Sequence, residues 1–493
     1  MDLKTPLVTQ NKLHPNFRAL ITPGFFDEEW DTLHKWSDGF IDRDGKFVRE
    51  FQTTFNSSFW ELYLHAAFRE LGFTADYSFN RPDFVLQSAT GVPFVAEAVI
   101  ASHADGYCPE WRRSLDQLVN AEREETVHIA TIRLASAIWS KYKKLKDSYA
   151  ELDHVKGKPF VICAAPFEQP TFFIQNDNAL RRVLYGFDQP LWIPTPDGKR
   201  MPIGQSSLPE IIKDNGATIP LGFFTTAAMP EVSAVIFSNT ATITKVRALT
   251  KNGKLNAIFT AARFNANGLH PHNVSKPRPE FEETLLDGLH VCVNPFANHP
   301  LDLEPFQGRE IAIHVYDPKS GEYLPLSPDG FLFQHGSLVM TSGGGVNNLE
   351  EIADDEYKRP VYPVRKEKEL FPVAGNVAFY VDNHLAHHRG WTICIARDTI
   401  DDDWMAQATT GMHGTLAAYH QADKANLVLG ESSYSTKDDA FAHILRTLDR
   451  HLDKPLIEAR RVEREKARKS LEKKQRRKEK KAERVRKKDS RRR

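Results

Sequence analysis

Residues 81–100 have the sequence RPDFVLQSATGVPFVAEAVI, which predicts two short β-strands joined by a turn. The strands are expected over residues 84–86 and 93–100, and the Thr-Gly pair between them is typical of a turn. Each strand is associated with one acidic side chain: Asp83 stands directly before the first, and Glu97 lies inside the second. Because the two strands would be neighbours in one sheet, we expect the two carboxylates to lie close together.

Helical patterns flank this pair of strands. Residues 56–58, Asn-Ser-Ser, offer N-terminal caps for an amphipathic helix that would end at Gly72. A long helical stretch is predicted over residues 115–152, and residues 159–165 are apolar enough to form a buried strand. The order helix, strand, strand, helix, strand predicts an α/β fold in which helices pack on a mixed sheet.

The chain is long enough for several domains, and its patterns divide it into five parts. They are an N-terminal extension (1–50), the α/β core (51–168), a β-rich region of unknown role (169–365), a small α+β module (366–455) and a basic tail (456–493). The sequence leaves open whether the β-rich region completes the first sheet or forms a domain of its own. The tail is expected to be a solvated helix or a disordered arm.

The composition indicates a globular protein and argues against several classes. Hydrophobic residues make up 41% and charged residues 26% of the 493. We find no secretory signal and no apolar run long enough to span a membrane, so a cytoplasmic protein without a membrane partner is expected. The four cysteines lie far apart, which argues against a disulfide frame or a zinc site. The sequence also lacks the P-loop, dinucleotide-binding and serine-hydrolase motifs.

The formal net charge of zero conceals a strong asymmetry along the chain. From Ala459 to Arg493 there are 20 Lys+Arg against 6 Asp+Glu, whereas the rest of the chain carries 45 and 59. A basic tail of this kind can bind nucleic acid by neutralising phosphates without reading the base sequence. The alternative is a solubilising arm that binds the protein's own acidic body.

Three acidic residues suit the chemistry of phosphodiester hydrolysis. This reaction needs an activated water and neutralisation of the charge that grows on the phosphate and on the leaving oxygen. A divalent cation held by carboxylates serves these needs, and a nearby lysine can assist the water. Asp83 and Glu97 are the first candidate ligands, and Glu61, beside the apolar stripe of the preceding helix, is the third. Such hard oxygen ligands predict Mg²⁺ (or Mn²⁺).

These positions resemble the PD-(D/E)xK superfamily of nucleases, which includes many restriction and repair enzymes. The matching residues are Glu61, Pro82-Asp83 and Glu97. The resemblance implies a restriction-endonuclease-like fold, a metal held by these acids and a nucleic-acid substrate. In the family the residue two beyond the second acid is usually a lysine, whereas this chain has Val99 there.

A lysine from another element would replace the missing one, a rearrangement that the family tolerates. At 100° per residue, Lys141 falls inside the apolar stripe of the helical stretch that follows Glu97. The lysines that follow it, Lys143, Lys144 and Lys146, are predicted to point elsewhere. A lysine in an apolar face calls for a partner. Lys141 is therefore the predicted replacement, with the role of assisting the attacking water.

Each of these candidates also has a purely structural explanation. Ser58 and Glu61 have the spacing of a capping box, and Asp83 after a proline can shape a turn. Glu97 in an apolar strand needs a partner, which a structural ion pair with Lys141 would supply. Lys141 can alternatively extend its ammonium group to solvent from the edge of the helix.

The sequence supports three hypotheses about function. The first is a metal-dependent nuclease that hydrolyses DNA or RNA, and the second is a non-catalytic nucleic-acid-binding or scaffold protein on a degenerate nuclease fold, which Val99 favours. The third is a histidine-metal enzyme centred on His384, His387 and His388, which have metal-like spacing in a loop-like segment. Solvated or core histidines are the simpler explanation of that cluster. The sequence leaves the oligomeric state open.

Overall fold

In a computed structural model the chain forms two compact units, Met1–Lys366 and Glu367–Arg493. The structure describes residues 1–113, 123–194, 200–213, 215–267, 271–340, 357, 371–372, 380–388, 391–398, 402–409, 428–429 and 433–450. The start of the predicted long helix and the whole basic tail lie outside the described residues.

Seven α-helices lie in the described part of the first unit. They are α1 (Pro15–Leu20), α2 (Glu29–Trp36), α3 (Phe47–Thr53), α4 (Phe55–Glu70), α5 (Arg123–Lys144), α6 (Asn178–Tyr185) and α7 (Ile243–Leu249). A five-residue π-helical segment, Leu145–Tyr149, continues α5. None of the helices that the structure describes is both long and apolar enough to cross a membrane.

An eight-stranded mixed sheet organises the first unit. Its strands, in spatial order, are β1 (Thr74–Ala75), β2 (Phe84–Gln87), β3 (Pro93–Ser102), β4 (Phe160–Phe167), β9 (Ala234–Phe237), β12 (Leu289–Val293), β13 (Ile311–Asp317) and β14 (Glu322–Leu326). Strands β1, β2 and β3 are antiparallel, whereas β3, β4 and β9 are parallel to one another. The remaining strands are β5 (Phe187–Pro194), β6 (Arg200–Ser207), β7 (Glu210–Ile212), β8 (Thr218–Pro220), β10 (Asn256–Arg263), β11 (His272–Pro277) and β15 (Leu332–Met340).

Strand β4 shows how the sheet is buried on both faces. Val161 and Cys163 belong to one hydrophobic cluster, and Phe160 and Ile162 belong to a second. Because alternate residues of a strand point to opposite faces, a run that is apolar at every position must be covered on both sides. Helices α1 to α4 and α7 supply the first cluster, and α5 and α6 supply the second.

The polypeptide on either side of the predicted core contributes to the same unit. Phe17, Trp30 and Phe47 are buried in the first cluster, so the first fifty residues pack into the core. Within the β-rich region, β9, β12, β13 and β14 complete the sheet. Three other strands of that region, β10, β11 and β15, form a separate three-stranded sheet. This answers the question that the sequence left open.

Helix α4 begins earlier than the sequence predicts. Thr54 is its N-cap, so residues 56–58 lie inside the helix and the prediction that they cap it is wrong. Asn56 instead donates a hydrogen bond to the buried Glu110 carboxylate at 2.6 Å. The strands predicted over residues 84–86, 93–100 and 159–165 are confirmed as β2, β3 and β4, each within two residues at both ends.

The second unit contains an antiparallel sheet and one helix among its described residues. The strands are β16 (Phe371–Pro372), β17 (Tyr380–His388), β18 (Trp391–Asp398), β19 (Trp404–Thr409), β20 (Val428–Leu429) and β21 (Ser433–Tyr434). Helix α8 (437–450) packs Ala440 and Ile444 on this sheet. His384 lies in strand β17, so the expectation of a loop at this position is wrong.

Candidate active site

Glu97 is a buried carboxylate in the middle of β3, which lies between β2 and β4. Its backbone pairs with Ile162 of β4, and 1% of its side chain is exposed. Its Oε1 accepts hydrogen bonds from Lys141 Nζ at 2.7 Å and Lys144 Nζ at 2.8 Å. The hydroxyl of Tyr149 approaches the same oxygen at 3.3 Å. A buried carboxylate requires such partners, and three side chains supply them here.

Asp83 stands at the entry to β2, directly beside Glu97. Its Oδ2 accepts a hydrogen bond from the backbone N–H of Ala98 at 2.7 Å, and its own N–H donates to Glu97 Oε2 at 3.3 Å. The antiparallel pairing of Phe84 with Ala96 fixes this register. The two strands therefore bring the two carboxylates together, and backbone amides hold both of them in place.

Arg43 holds the segment that leads to Asp83. Its Nη1 donates to the carbonyl of Phe79 at 2.6 Å and to that of Pro82 at 3.3 Å. The guanidinium also lies 5.9 Å from the centre of the Tyr77 ring. Arg43 belongs to the first fifty residues, where the sequence shows no periodic pattern, so nothing in the sequence pointed to this role.

Two lysines of α5 reach Glu97, although the sequence singled out one. Lys141 lies where its helical position predicts, with 20% of its side chain exposed. Lys144, with 48% exposed, lies against the same oxygen, so the prediction that it points elsewhere is wrong. Residues three apart on a helix are offset by only about 60°, and a four-carbon side chain spans that offset. Val99, two residues beyond Glu97, packs beside the second cluster instead of approaching the carboxylate.

The π-helical segment brings Tyr149 to the same site. In an uninterrupted α-helix, a residue five positions after Lys144 would project about 140° away from it. The i→i+5 repeat of a π-helix reduces that offset to about 50°, so Tyr149 returns to the face that carries Lys144. Sequence periodicity assumes a constant rotation per residue, and this residue was therefore missed.

Glu61 projects from α4 and is partly exposed. Because α4 begins at Phe55 with Thr54 as its N-cap, Ser58 and Glu61 lie within the helix and do not form the capping box considered above. The described residues provide no hydrogen-bond donor to the Glu61 carboxylate. The charges that act on it come from Asp83, Arg43 and Glu97 among others.

Burial and mutual repulsion raise the pKa of two of these carboxyl groups. Burial, followed by the charge of Asp83, raises the pKa of Glu61 to about 8. Burial, followed by the charge of Glu97, raises the pKa of Asp83 to about 6. Burial also opposes ionisation of Glu97, but Lys141 and then Lys144 outweigh it and lower its pKa. Carboxylates crowded in this way gain stability when a proton or a cation joins them.

The donor set fits a hard divalent cation. Glu61, Asp83 and Glu97 offer only oxygen atoms, which Mg²⁺ and Mn²⁺ prefer. The raised pKa values of Glu61 and Asp83 mark a place where positive charge is favourable. Asp83 and Glu97 are joined by a hydrogen bond, whereas the ligand atoms of Glu61, Asp83 and Glu97 do not all lie within 4.8 Å of one another, so Glu61 would have to approach the pair for all three to bind one cation.

A second group of potential metal ligands lies elsewhere in the first unit. Within the described part of the chain, Asp177, His290 and His314 place one donor atom each within 4.8 Å of one another. His290 Nδ1 and His314 Nε2 are 2.9 Å apart, and both oxygens of Asp177 lie 2.8 Å from Arg181 Nη2. Burial lowers the pKa of His290 to about 4 and that of His314 to about 3, so both rings are neutral at pH 7.

The charge of this second group disfavours a metal. Arg181 already neutralises Asp177, so a divalent cation would add two uncompensated positive charges to a buried site. It would also displace the hydrogen bond between His290 and His314. We therefore regard this group as a buried hydrogen-bonded network, with the ligand types of a transition-metal site but without the necessary negative charge.

Comparison of the chain with protein-family models, with curated proteins and with solved structures finds no match.

Proposed function

We propose that this protein is a metal-dependent nuclease of the PD-(D/E)xK type, which hydrolyses phosphodiester bonds of DNA or RNA. The observation that carries the proposal is that Asp83, Glu97 and Lys141 meet from different elements, with the charges of Asp83 and Glu97 also acting on Glu61. Glu61 comes from α4, Asp83 precedes β2, Glu97 lies in β3, and Lys141 of α5 is 2.7 Å from Glu97. Neither a cap nor a turn explains why Asp83, Glu97 and Lys141 meet at one place.

The order of elements supports the same proposal. Helix α4 is followed by the antiparallel strands β1, β2 and β3, then by α5 and by β4, which is parallel to β3. This arrangement resembles a restriction-endonuclease-like core. The additional strands β9 and β12 to β14 extend the sheet beyond β4, away from the candidate site.

The chain's own residues have distinct roles in the proposed reaction. Glu61, Asp83 and Glu97 would hold Mg²⁺ or Mn²⁺, which when bound lowers the pKa of a coordinated water and neutralises charge on the phosphate. Lys141 is an ammonium group paired with Glu97, so it orients the attacking water and takes no proton from it. The water oxygen bonds to phosphorus as the bond to the leaving oxygen breaks. The water releases one proton to solvent, and the leaving oxygen gains one.

One observation favours a second candidate, a non-catalytic nucleic-acid-binding protein. Glu97 already has two ammonium partners in the absence of any metal. Such an ion-pair network is also what a degenerate site would retain after losing catalysis. Under this alternative the basic residues 459–493 would supply the nucleic-acid affinity.

Cleavage assays test the proposal directly. The full-length protein is incubated with end-labelled single- and double-stranded DNA and RNA in Mg²⁺, Mn²⁺ or EDTA. We expect metal-dependent cutting that Asp83→Asn and Glu97→Gln abolish. Glu70→Gln, which changes an exposed residue of α4, is the matched control and should cut like the wild type. A folded wild-type protein that cuts none of these substrates would shift the assignment to the binding protein.

A further inference from the structure

Lys144 is an additional cation at a carboxylate that already has one. Lys141 Nζ and Lys144 Nζ lie 2.7 Å and 2.8 Å from the same Oε1 of Glu97. Both lysines also act on the neighbouring Asp83, so two ammonium groups face two carboxylates in the metal-free site, and a bound divalent cation would leave positive charge in excess. Lys141 is four-fifths buried, whereas about half of the Lys144 side chain is exposed, so Lys144 is the one that can turn toward a ligand in solvent.

Tyr149 is placed to hold the site together when Lys144 turns away. Its hydroxyl is 3.3 Å from Glu97 Oε1, and Lys144 Nζ lies 5.0 Å from the centre of its ring. The π-helical segment Leu145–Tyr149 is what brings Tyr149 to this position. Single π-helical turns of this kind occur frequently at functional sites.

With a divalent cation bound, the number of charges favours an anionic ligand. Three carboxylates and one divalent cation carry one net negative charge, which Lys141 neutralises. Lys144 then leaves one positive charge, equal and opposite to the charge of a phosphodiester. Further negative charge grows on the phosphate as the reaction proceeds, and a positioned cation stabilises it there.

We infer that Lys144 is a phosphate-binding residue of this site and that its ligand is a backbone phosphate of the nucleic-acid strand next to Glu97. This inference rests on the proposed function. The second lysine of α5 therefore has a role separate from that of Lys141: Lys141 positions the water, and Lys144 binds the phosphate.

The salt dependence of binding tests this role without requiring cleavage. Affinity of the full-length protein for a labelled single-stranded DNA is measured by fluorescence anisotropy from low to high salt in Ca²⁺, with gels to verify an intact strand. Each phosphate that a protein neutralises on a single strand contributes about 0.7 to the slope of log affinity against log salt. We expect Lys144→Met to reduce the slope by that amount. Lys144→Arg should retain the slope, and Lys319→Met, at the opposite edge of the sheet, should not change it.

The outcomes separate this inference from the proposed function. If Lys144→Met leaves the slope unchanged, or if Lys319→Met reduces it equally, Lys144 is not a phosphate-binding residue at this site, whether or not the wild type cuts. If Lys144→Met reduces the slope but the wild type cuts nothing in Mg²⁺ or Mn²⁺, Lys144 still binds a phosphate and the nuclease proposal fails. In an active enzyme, Lys144→Met should also lower kcat/KM by about 10²-fold.

Discussion

Lys141 Nζ lies 2.7 Å from Glu97 Oε1, although the two residues are 44 positions apart and belong to different layers of the fold. Helix α5 covers β3 and so brings a lysine to the strand that has Val99 two residues beyond Glu97. If this lysine performs the role that the family assigns to the strand position, the two positions should be interchangeable in part.

A double variant that moves the lysine from position 141 to position 99 tests whether the two positions are interchangeable. Lys141→Met should lower the cleavage rate by about 10²–10³-fold, the range for loss of one positioned electrostatic donor. Val99→Lys combined with Lys141→Met should recover part of the loss, because residue 99 lies on the same face of β3 as Glu97. Single-turnover rates with excess enzyme measure both effects. Lys143→Met, an exposed change on the same helix, is the control, and an undiminished rate in Lys141→Met would rule out the assignment.

In the metal-free protein, the ionised Glu61 carboxylate should destabilise the folded state at alkaline pH. Burial and Asp83 raise its pKa to about 8, so its contribution is fully present at acid pH and is lost as pH rises through that value. Glu61→Gln should therefore raise the unfolding temperature at pH 8.5 in EDTA, whereas a structurally required carboxylate would lower it. Thermal unfolding monitored by fluorescence measures the shift, with Glu70→Gln as the exposed control on α4.

In the presence of metal, the Glu61 carboxylate should instead stabilise the folded state. Mg²⁺ or Mn²⁺ that binds the folded state stabilises it by mass action. The unfolding temperature of the wild type should rise with metal concentration, and the rise should be smaller in Glu61→Gln, which lacks one ligand. Equal shifts in the two proteins would remove Glu61 from the proposed ligand set.

The sequence indicated the parts of the site that depend on regular geometry. Asp83 and Glu97 lie at neighbouring strands, and Lys141 lies on the buried face of a helix. The alternation of side chains along a strand and the rotation of 100° per helical residue are therefore sufficient to predict that these side chains lie close together. Tyr149 required a π-helical segment, and Arg43 acts on backbone carbonyls from a part of the chain without periodicity. Strands β9, β12 and β13 coincide with short apolar runs of the sequence, but β14 does not, and the order of these strands in the sheet depends on long-range pairing that no local pattern contains.

A buried ion network that joins helix α7 to strand β15 predicts acid sensitivity. Lys245 Nζ, fully buried, lies 2.6 Å from Glu283 Oε1, and His335 Nδ1 lies 3.0 Å from Glu283 Oε2. Burial opposes ionisation of Glu283, but His335 and Lys245 outweigh it and lower its pKa to about 2. The stability that this carboxylate contributes is present above its ordinary pKa and is lost as pH falls from about 4.5 to about 2.

Removing the Glu283 charge should reveal this contribution. Glu283→Gln leaves Lys245 without its carboxylate and should destabilise the first unit by about 3–5 kcal/mol at pH 7. Urea unfolding followed by circular dichroism between pH 2 and pH 7 measures both the loss and its pH dependence, which should be weaker in the variant. Glu282→Gln, an exposed neighbour, should unfold like the wild type, and a Glu283→Gln protein with unchanged stability would contradict the network's importance.

Deletion of residues 459–493 separates the two explanations of the basic tail, which lies outside the described residues. If the tail binds phosphates, its removal should weaken nucleic-acid binding and reduce the salt slope by about 0.9 for each phosphate that the tail neutralises on duplex DNA. Cleavage at saturating substrate should persist, because Glu61, Asp83, Glu97 and Lys141 all lie in the first unit. If the tail instead binds the protein's own acidic body, deletion would leave affinity equal or higher. Comparison of both proteins in the same salt series, by anisotropy and by cleavage rate, distinguishes these outcomes.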